Sequence, residues 1–346
     1  MDNTVSITAV GDVLLHGRVY GGLGKKSGYT FDEQLKNVKN LIGNSDINIA
    51  NLETVIGGNE LGLSGFPRFN APIEIASSLK KLGFDIVNLA NNHIMDKGEE
   101  GIIRTINNLN NVGMEYVGAY KSEEDNLRLR TYTINDLKIC VIGYTHVLNG
   151  HRLPQGKEYL VNALKDQSLV KMRRIIERIK HKGNVDVVIA NVHFGSEYRL
   201  FPNSKQDEIV HAFAEGGADI ILGHHPHVLQ PPRWIENSQG DKSFVAYSLG
   251  NFFSGQNGIH RQVGAVLSIN VTKPYKDYKN IIVSNPKYEL TYVNRTKRLK
   301  YDMYLFREWI DKNPYLVIGK KKVNAMNVYN EIKRRMSTNI EDLEII

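Results

Sequence analysis

Cysteine is nearly absent: Cys140 is the only one in 346 residues. That excludes an intramolecular disulfide framework and any metal site built from clustered thiolates. Its apolar setting, Lys138-Ile139-Cys140-Val141-Ile142, predicts a buried structural thiol rather than a nucleophile. No apolar run approaches the roughly 20 residues that cross a bilayer, and no basic-then-apolar leader precedes Val5. The sequence therefore predicts a soluble chain without a membrane segment, cytoplasmic as it stands and cell-surface if an N-terminal anchor has been removed. Basic strands interleaved with aromatics, zinc-finger spacings, internal repeats and low-complexity linkers are also missing, so no nucleic-acid partner is expected.

What is present reads as an ordinary globular chain, 41% hydrophobic and 23% charged. The net charge of +7 is unevenly placed. Residues 271–346 hold 16 of the 44 Lys and Arg but only 9 of the 37 Asp and Glu, which accounts for all of it. The runs Lys320-Lys321-Lys322 and Lys333-Arg334-Arg335 are expected as solvated faces of C-terminal helices, with a polyanion contact as the alternative.

Short β-branched runs alternate with helical patterns. Strands are expected at 5–10, 47–50, 85–89, 138–144, 185–190, 218–222, 244–248 and 263–271. Their apolar runs are continuous, as in strands covered on both faces. Helices are expected at 31–42, 75–82, 102–112, 164–182 and 207–215, the last stopped by Gly216-Gly217. This alternation predicts an α/β sheet architecture. Beyond about 270 the pattern changes to a strand or hairpin at 281–293 and two short helices at 304–311 and 324–336. The division expected is a body spanning 1–295 and a basic, mainly helical C-terminal appendage at 296–346.

Five of the expected strands run directly into polar residues. Val10 leads to Gly11-Asp12 and then His16; Ala50 to Asn51-Leu52-Glu53; Leu89 to Asn91-Asn92-His93, with Asp96 beyond. Ala190 leads to Asn191-Val192-His193, and Leu222 to Gly223-His224-His225-Pro226-His227. In open α/β sheets, ligands bind where loops from the carboxyl ends of strands converge. Carboxylates, carboxamides and imidazoles without thiols suit one or two divalent ions such as Mn, Fe, Zn or Mg. Such ions would generate a hydroxide for attack on a substrate. His16, four residues after Asp12, either points back to this site or sits at the surface.

At these residues the chain resembles the calcineurin-like metallophosphoesterase superfamily and, within it, the bacterial capsule-synthesis, poly-γ-glutamate family usually called CapA or PgsA. The resemblance spans about residues 5–270. It rests on the segments 9–12, 51–53 and 90–93, together with Val192-His193-Phe194-Gly195-Ser196-Glu197-Tyr198, His224-His225-Pro226-His227-Val228-Leu229-Gln230 and Tyr247-Ser248-Leu249-Gly250-Asn251-Phe252. It implies a calcineurin-like metallophosphatase four-layer sandwich, two mixed β-sheets flanked by helices. It further implies that Asp12 and His227 hold a first metal, with His16 as a further ligand, and that Asn92, His193 and His225 hold a second. Glu53 would stand where the superfamily has a bridging Asp. His93 matches the residue that donates a proton or stabilises the transition state. Asn91, Glu197, Tyr198, His224 and Asn251 are expected to bind substrate.

Four positions depart from the superfamily pattern. Leu14 replaces the His of Asp-x-His, Glu53 replaces an Asp, Asn91 stands where a Gly usually precedes the Asn, and no Asp directly follows His93. The resemblance implies a metal-dependent hydrolase or transferase-like protein in poly-γ-glutamate synthesis, processing or export, with a phosphoester or a γ-glutamyl amide as the bond it acts on. A phosphoesterase acting on a nucleotide or other small phosphoester, and a non-enzymatic accessory that binds polyglutamate or synthase subunits, are the alternatives.

Overall fold

A computed structural model describes residues 3–21, 23, 28–164, 168–275, 280–296, 300–318 and 321–346. Residues 165–167 of one expected helix, and Lys320, lie outside these.

Two mixed sheets carry the chain. The nine-stranded sheet runs, edge to edge, Tyr301–Leu305, Ile282–Arg295, Val263–Lys273, Asn3–Leu14, Ile47–Leu52, Ile86–Asn88 and Glu115–Val117. Asn251–Ser254 pairs with the end of Asn3–Leu14, and Glu344–Ile345 with Ile282–Arg295. The six-stranded sheet runs Arg233–Glu236, Lys242–Ala246, Ile220–His224, Val187–His193, Leu137–Thr145 and Arg130–Ile134.

The sheets face each other across a dry core. Val5, Ile7, Ile47 and Ile86 of the first pack with Ile139, Val187, Ile220 and Phe244 of the second. Continuous apolar strands make this possible, because the alternate residues serve the outer faces. There Val10, Ala50 and Val87 meet Ile75, Leu79, Ile102 and Ile106 of the helices Glu74–Leu82 and Gly98–Asn111. On the other side Val188, Ala190 and Ile221 meet Met172, Ile176, Ile209 and Phe213 of the helices Leu169–Lys182 and Ser204–Glu215. The result is the four-layer α/β sandwich that the resemblance implies. Cys140 is fully buried in the third layer, and burial pushes its thiol pKa up to about 12.

Two stretches differ from expectation. Residues 31–42 form one α-turn, Asp32–Leu35, followed by a 3-10 helix, Lys36–Leu41. Asn37 there donates its side-chain amide to Met303 O at 2.8 Å, one of the side-chain-to-backbone bonds that compete with regular helix. The tail has its two helices, Phe306–Lys312 and Ala325–Met336, but also the strands 301–305 and 344–345 within the nine-stranded sheet. Its helices bury Phe306, Ile310, Val328 and Ile332 against Tyr288, Leu290 and Tyr292, covering sheet surface that the shorter second sheet leaves open. Lys321 and Lys322 are exposed on a strand rather than a helix. Arg335, expected on a solvated face, is only 6% exposed and pairs with Glu331. The apolar stripe of Ala325–Met336 turns that position inward.

Parallel pairing sets the site. Asn3–Leu14, Ile47–Leu52 and Ile86–Asn88 run parallel, as do Leu137–Thr145, Val187–His193 and Ile220–His224. Each set therefore presents its carboxyl ends on one edge. Among the described residues, no helix is long and apolar enough to cross a membrane.

Candidate metal centre

Asp12 enters the site at an irregularity. The pairing of Asn3–Leu14 with its neighbour shifts register between Ala9 and Asp12, a disruption that re-aims a side chain. Gly11 permits it, since a Cβ there would lie 1.9 Å from Gly250 O. Asp12 Oδ2 is 2.9 Å from His227 Nδ1, and Oδ1 accepts the Asn51 amide at 2.8 Å. Asn88 in turn donates to Asn51 at 2.9 Å. Burial alone would raise the Asp12 pKa; the His227 hydrogen bond and charge, with His224 and Asn51, hold it below the usual carboxylate value.

Glu53 has the opposite environment. It is fully buried, and neither carboxylate oxygen has a hydrogen-bond partner. Burial first, then the charges of Asp12 and Glu197, push its pKa well above the ordinary value. One oxygen is 3.5 Å from His193 Nε2 and 3.7 Å from His227 Nε2. A buried carboxylate without donors is costly unless a proton or cation meets it.

Burial disfavours the charged form of three of the imidazoles. Burial lowers His225 and His224 to about 4, with His227 adding to the shift at His225. Burial and the surrounding histidines take His193 well below its ordinary value. His225 and His227 lie on a tight turn around Pro226, both with left-handed backbone at φ 101° and 58°. Non-glycine residues in that region are uncommon and cluster at functional sites.

Two sets of donor atoms fall within 4.8 Å of one another: Asp12, Glu53 and His193, and Glu53, His225 and His227. Glu53 belongs to both. Asn92 stands beside them, its Oδ1 3.0 Å from His193 Nε2. These buried groups fit a divalent ion, because the Glu53 carboxylate meets no protein donor and imidazole nitrogens of His193, His225 and His227 share its two donor sets.

The other expected site residues fall into two groups. His93, Glu197, Tyr198 and His16 line a cavity of about 280 Å³ beside the cluster, with His227 at its floor. His16 joins neither donor set; its ring packs edge-on against Phe69, and burial lowers its pKa to about 4. Asn91, His224 and Asn251 brace the site from behind. Asn91 donates to Leu52 O at 2.8 Å and accepts from the His93 backbone at 3.1 Å. His224 lies between Asp12 and Asn191, at 3.7 and 3.3 Å. Asn251 is 3.1 Å from His227 Nδ1 and donates to Arg261 O at 2.9 Å.

Sequence reasoning does not assign Asp96, Arg18 or Arg261. Asp96 Oδ2 lies 2.7 Å from His93 Nδ1 and accepts the Phe69 backbone N–H at 2.6 Å. Its other oxygen is 3.7 Å from His151 Nε2. Only its place three residues after His93 hints at this. Arg18 and Arg261 line the cavity and belong to no polar strand-end cluster.

Two mixed sheets between helical layers, with carboxylates and imidazoles gathered at the carboxyl ends of parallel strands, make this an α/β sandwich protein with a candidate metal centre. More particularly, the profile of the family described as bacterial capsule synthesis protein PGA_cap matches residues 6–256, and the chain belongs to that family. It is 27% identical over 345 residues to the capsule biosynthesis protein CapA of Bacillus anthracis, covering 96% of this chain and 80% of that one. It is 33% identical over 201 residues to the PGA biosynthesis protein CapA of Bacillus subtilis (strain 168), covering 58% of this chain and half of that one. Among solved structures, a hypothetical protein from Thermus thermophilus aligns at a TM-score of 0.46 and 14% identity, over 82% of this chain and 99% of that one.

Proposed function

We propose that the chain is a metal-dependent hydrolase that cleaves a γ-glutamyl amide in the synthesis, processing or export of poly-γ-glutamate. The observation that carries this is the single orphaned carboxylate, Glu53, shared by two donor sets beside a cavity that holds a His–Asp pair. The relatives named for capsule and PGA biosynthesis support the choice of polymer.

Asp12, Glu53, His193, His225 and His227 would hold the ion or ions, with Asn92 as a neutral oxygen donor. A divalent ion there supplies a Lewis acid for the scissile carbonyl and lowers the pKa of water. His93 performs proton transfer. Its Nδ1 faces Asp96 at 2.7 Å, which fixes the ring and leaves Nε2 to give a proton to the departing nitrogen. Asp96 thereby takes the orienting part left open by the missing acid directly after His93. The Asn51–Asn88 pair keeps Asp12 ionised and aimed.

The test is an activity screen of the purified chain loaded with Mn, Zn, Fe or Mg, on short oligo-γ-glutamates and on generic phosphoesters. Metal-dependent release of glutamate, abolished by chelation, is expected. Phosphoester turnover alone would move the assignment to a phosphoesterase, and no turnover of either would contradict the enzymatic reading.

A further inference from the structure

The cavity mouth contains a cation that no ion pair occupies. Arg261 ends the short helix Ile259–Gln262, and its guanidinium lies 4.5 Å above the Tyr198 ring centroid, both residues facing the cavity. The Arg261 side chain also occupies the space beside Gly258 that a side chain there would need. A Cβ added at Gly258 would stand 2.8 Å from Nε and 2.9 Å from Nη2. Gly258 has φ 126°, a backbone conformation that side chains disfavour, so the glycine serves both the turn and the packing.

The same residue is tied to the proposed metal ligands. Asn251 donates to Arg261 O at 2.9 Å while its Oδ1 lies 3.1 Å from His227 Nδ1. Asn251 also donates to Gln256 at 3.1 Å, and Gln256 donates to the Tyr198 hydroxyl at 3.4 Å. The guanidinium is thus held against the Tyr198 ring, and its residue is tied through its backbone carbonyl and Asn251 to His227. Among the described residues, neither Arg261 nor Arg18, exposed on the same rim, has a carboxylate within ion-pair distance.

A preorganised guanidinium without a protein anion presents a fork matched to carboxylate or phosphate oxygens. A cation held over an aromatic ring is restrained while most of its five N–H donors remain open to a ligand. We propose that Arg261 is a specificity-determining residue that binds an anionic group carried by the substrate next to the bond that is cleaved. Arg18, being exposed, adds long-range attraction. This deepens the hydrolase reading and rests on it for the identity of the site. For a γ-glutamyl chain the anion is the free α-carboxylate beside the amide; for a phosphoester it is a phosphoryl oxygen.

Calorimetric binding to the 346-residue chain tests this without requiring turnover, with metal bound and after chelation. The probes are a short oligo-γ-glutamate, its α-carboxamide counterpart and inorganic phosphate. Arg261→Gln is expected to weaken the anionic probe by roughly 10- to 100-fold, the range of a lost charge-assisted hydrogen bond. Arg261→Lys should fall between, and Gly258→Ala, which displaces the guanidinium, should reproduce much of the loss. The carboxamide should bind weakly and equally to wild type and Arg261→Gln. Loss confined to oligo-γ-glutamate identifies the carboxylate source, and loss confined to phosphate the phosphoryl one; either supports the assignment. Affinities within twofold of wild type for both anions, or no binding of either by wild type, would overturn it. A chain that binds anions through Arg261 yet turns nothing over would contradict only the hydrolase reading.

Discussion

One oxygen of Glu53 lies 3.5 Å from His193 Nε2, and no hydrogen-bond donor reaches either oxygen of that fully buried carboxylate. Acid and imidazole are both held near neutrality by burial, Glu53 by a raised pKa and His193 by a lowered one. The pair is unfavourable for a metal-free fold and favourable for cation capture.

Glu53 should therefore cost stability when no metal is present. Its folded pKa is raised, so the folded chain binds a proton more tightly than the unfolded one, and stability falls as pH climbs above the ordinary carboxyl value of about 4.3. In chelator at neutral pH, Glu53→Gln should melt at a higher temperature than wild type. Added metal should raise the melting temperature of wild type more than that of the variant. A lower melting temperature for the metal-free variant would contradict this account of the carboxylate.

The histidines should make the metal-free chain acid-labile. His16, His224 and His225 have folded pKa values of about 4, pushed down mainly by burial. Their neutral forms support the fold above the ordinary value of about 6.5, and that support is lost as pH falls toward 4. Melting temperature measured against pH in chelator should drop through this window. The drop should be shallower in His224→Gln.

His93→Ala should keep bound metal while losing about 10²–10⁴ in turnover, the usual worth of general acid–base assistance. Asp96→Asn should impair turnover less, because the ring keeps a partner but loses the charge that orients it. Elemental analysis beside steady-state rates separates the two effects. Loss of metal in His93→Ala would place that residue among the ligands instead.

The tail's exposed charges should act on polyanions at a distance from the chemistry. Replacing Lys321, Lys322, Lys333 and Arg334 with neutral residues should weaken polyglutamate binding at low salt, and wild-type binding should itself fade toward physiological ionic strength, where the Debye length is about 8 Å. Arg335 is left out of this set because it is buried against Glu331. Small-substrate turnover should be unchanged. A large loss of turnover with fold and metal intact would show that the tail forms part of the site.

Much of this is legible because buried parallel strands spell themselves out as continuous apolar runs, and a polar cluster ending such a run stands out. Asp12, Glu53, Asn92, His193, His225 and His227 all stand at such ends, and the structure brings them together. What escapes is set by contacts distant in sequence. Asn88 reads as one polar residue in an apolar strand, and only the fold shows it backing Asn51. His224 belongs to a conspicuous triplet, but its strand position turns it behind Asp12 rather than into the cavity. Arg261 lies on a four-residue helix with no motif, and its place follows from Tyr198 and Gly258. The edge strand Arg130–Ile134 also escapes, joined to Leu137–Thr145 by a two-residue hairpin at Asn135-Asp136 with φ of 48° and 59°.

The central claim is that the strand-end cluster is a divalent metal centre, and metal content tests it most directly. Elemental analysis of the purified chain, reconstituted with Mn, Zn or Fe and freed of excess, should give one to two ions per chain. His193→Ala and His225→Ala should each lower that content sharply while circular dichroism remains that of the folded protein. No stoichiometric metal in wild type, or full content retained in both variants, would contradict the account.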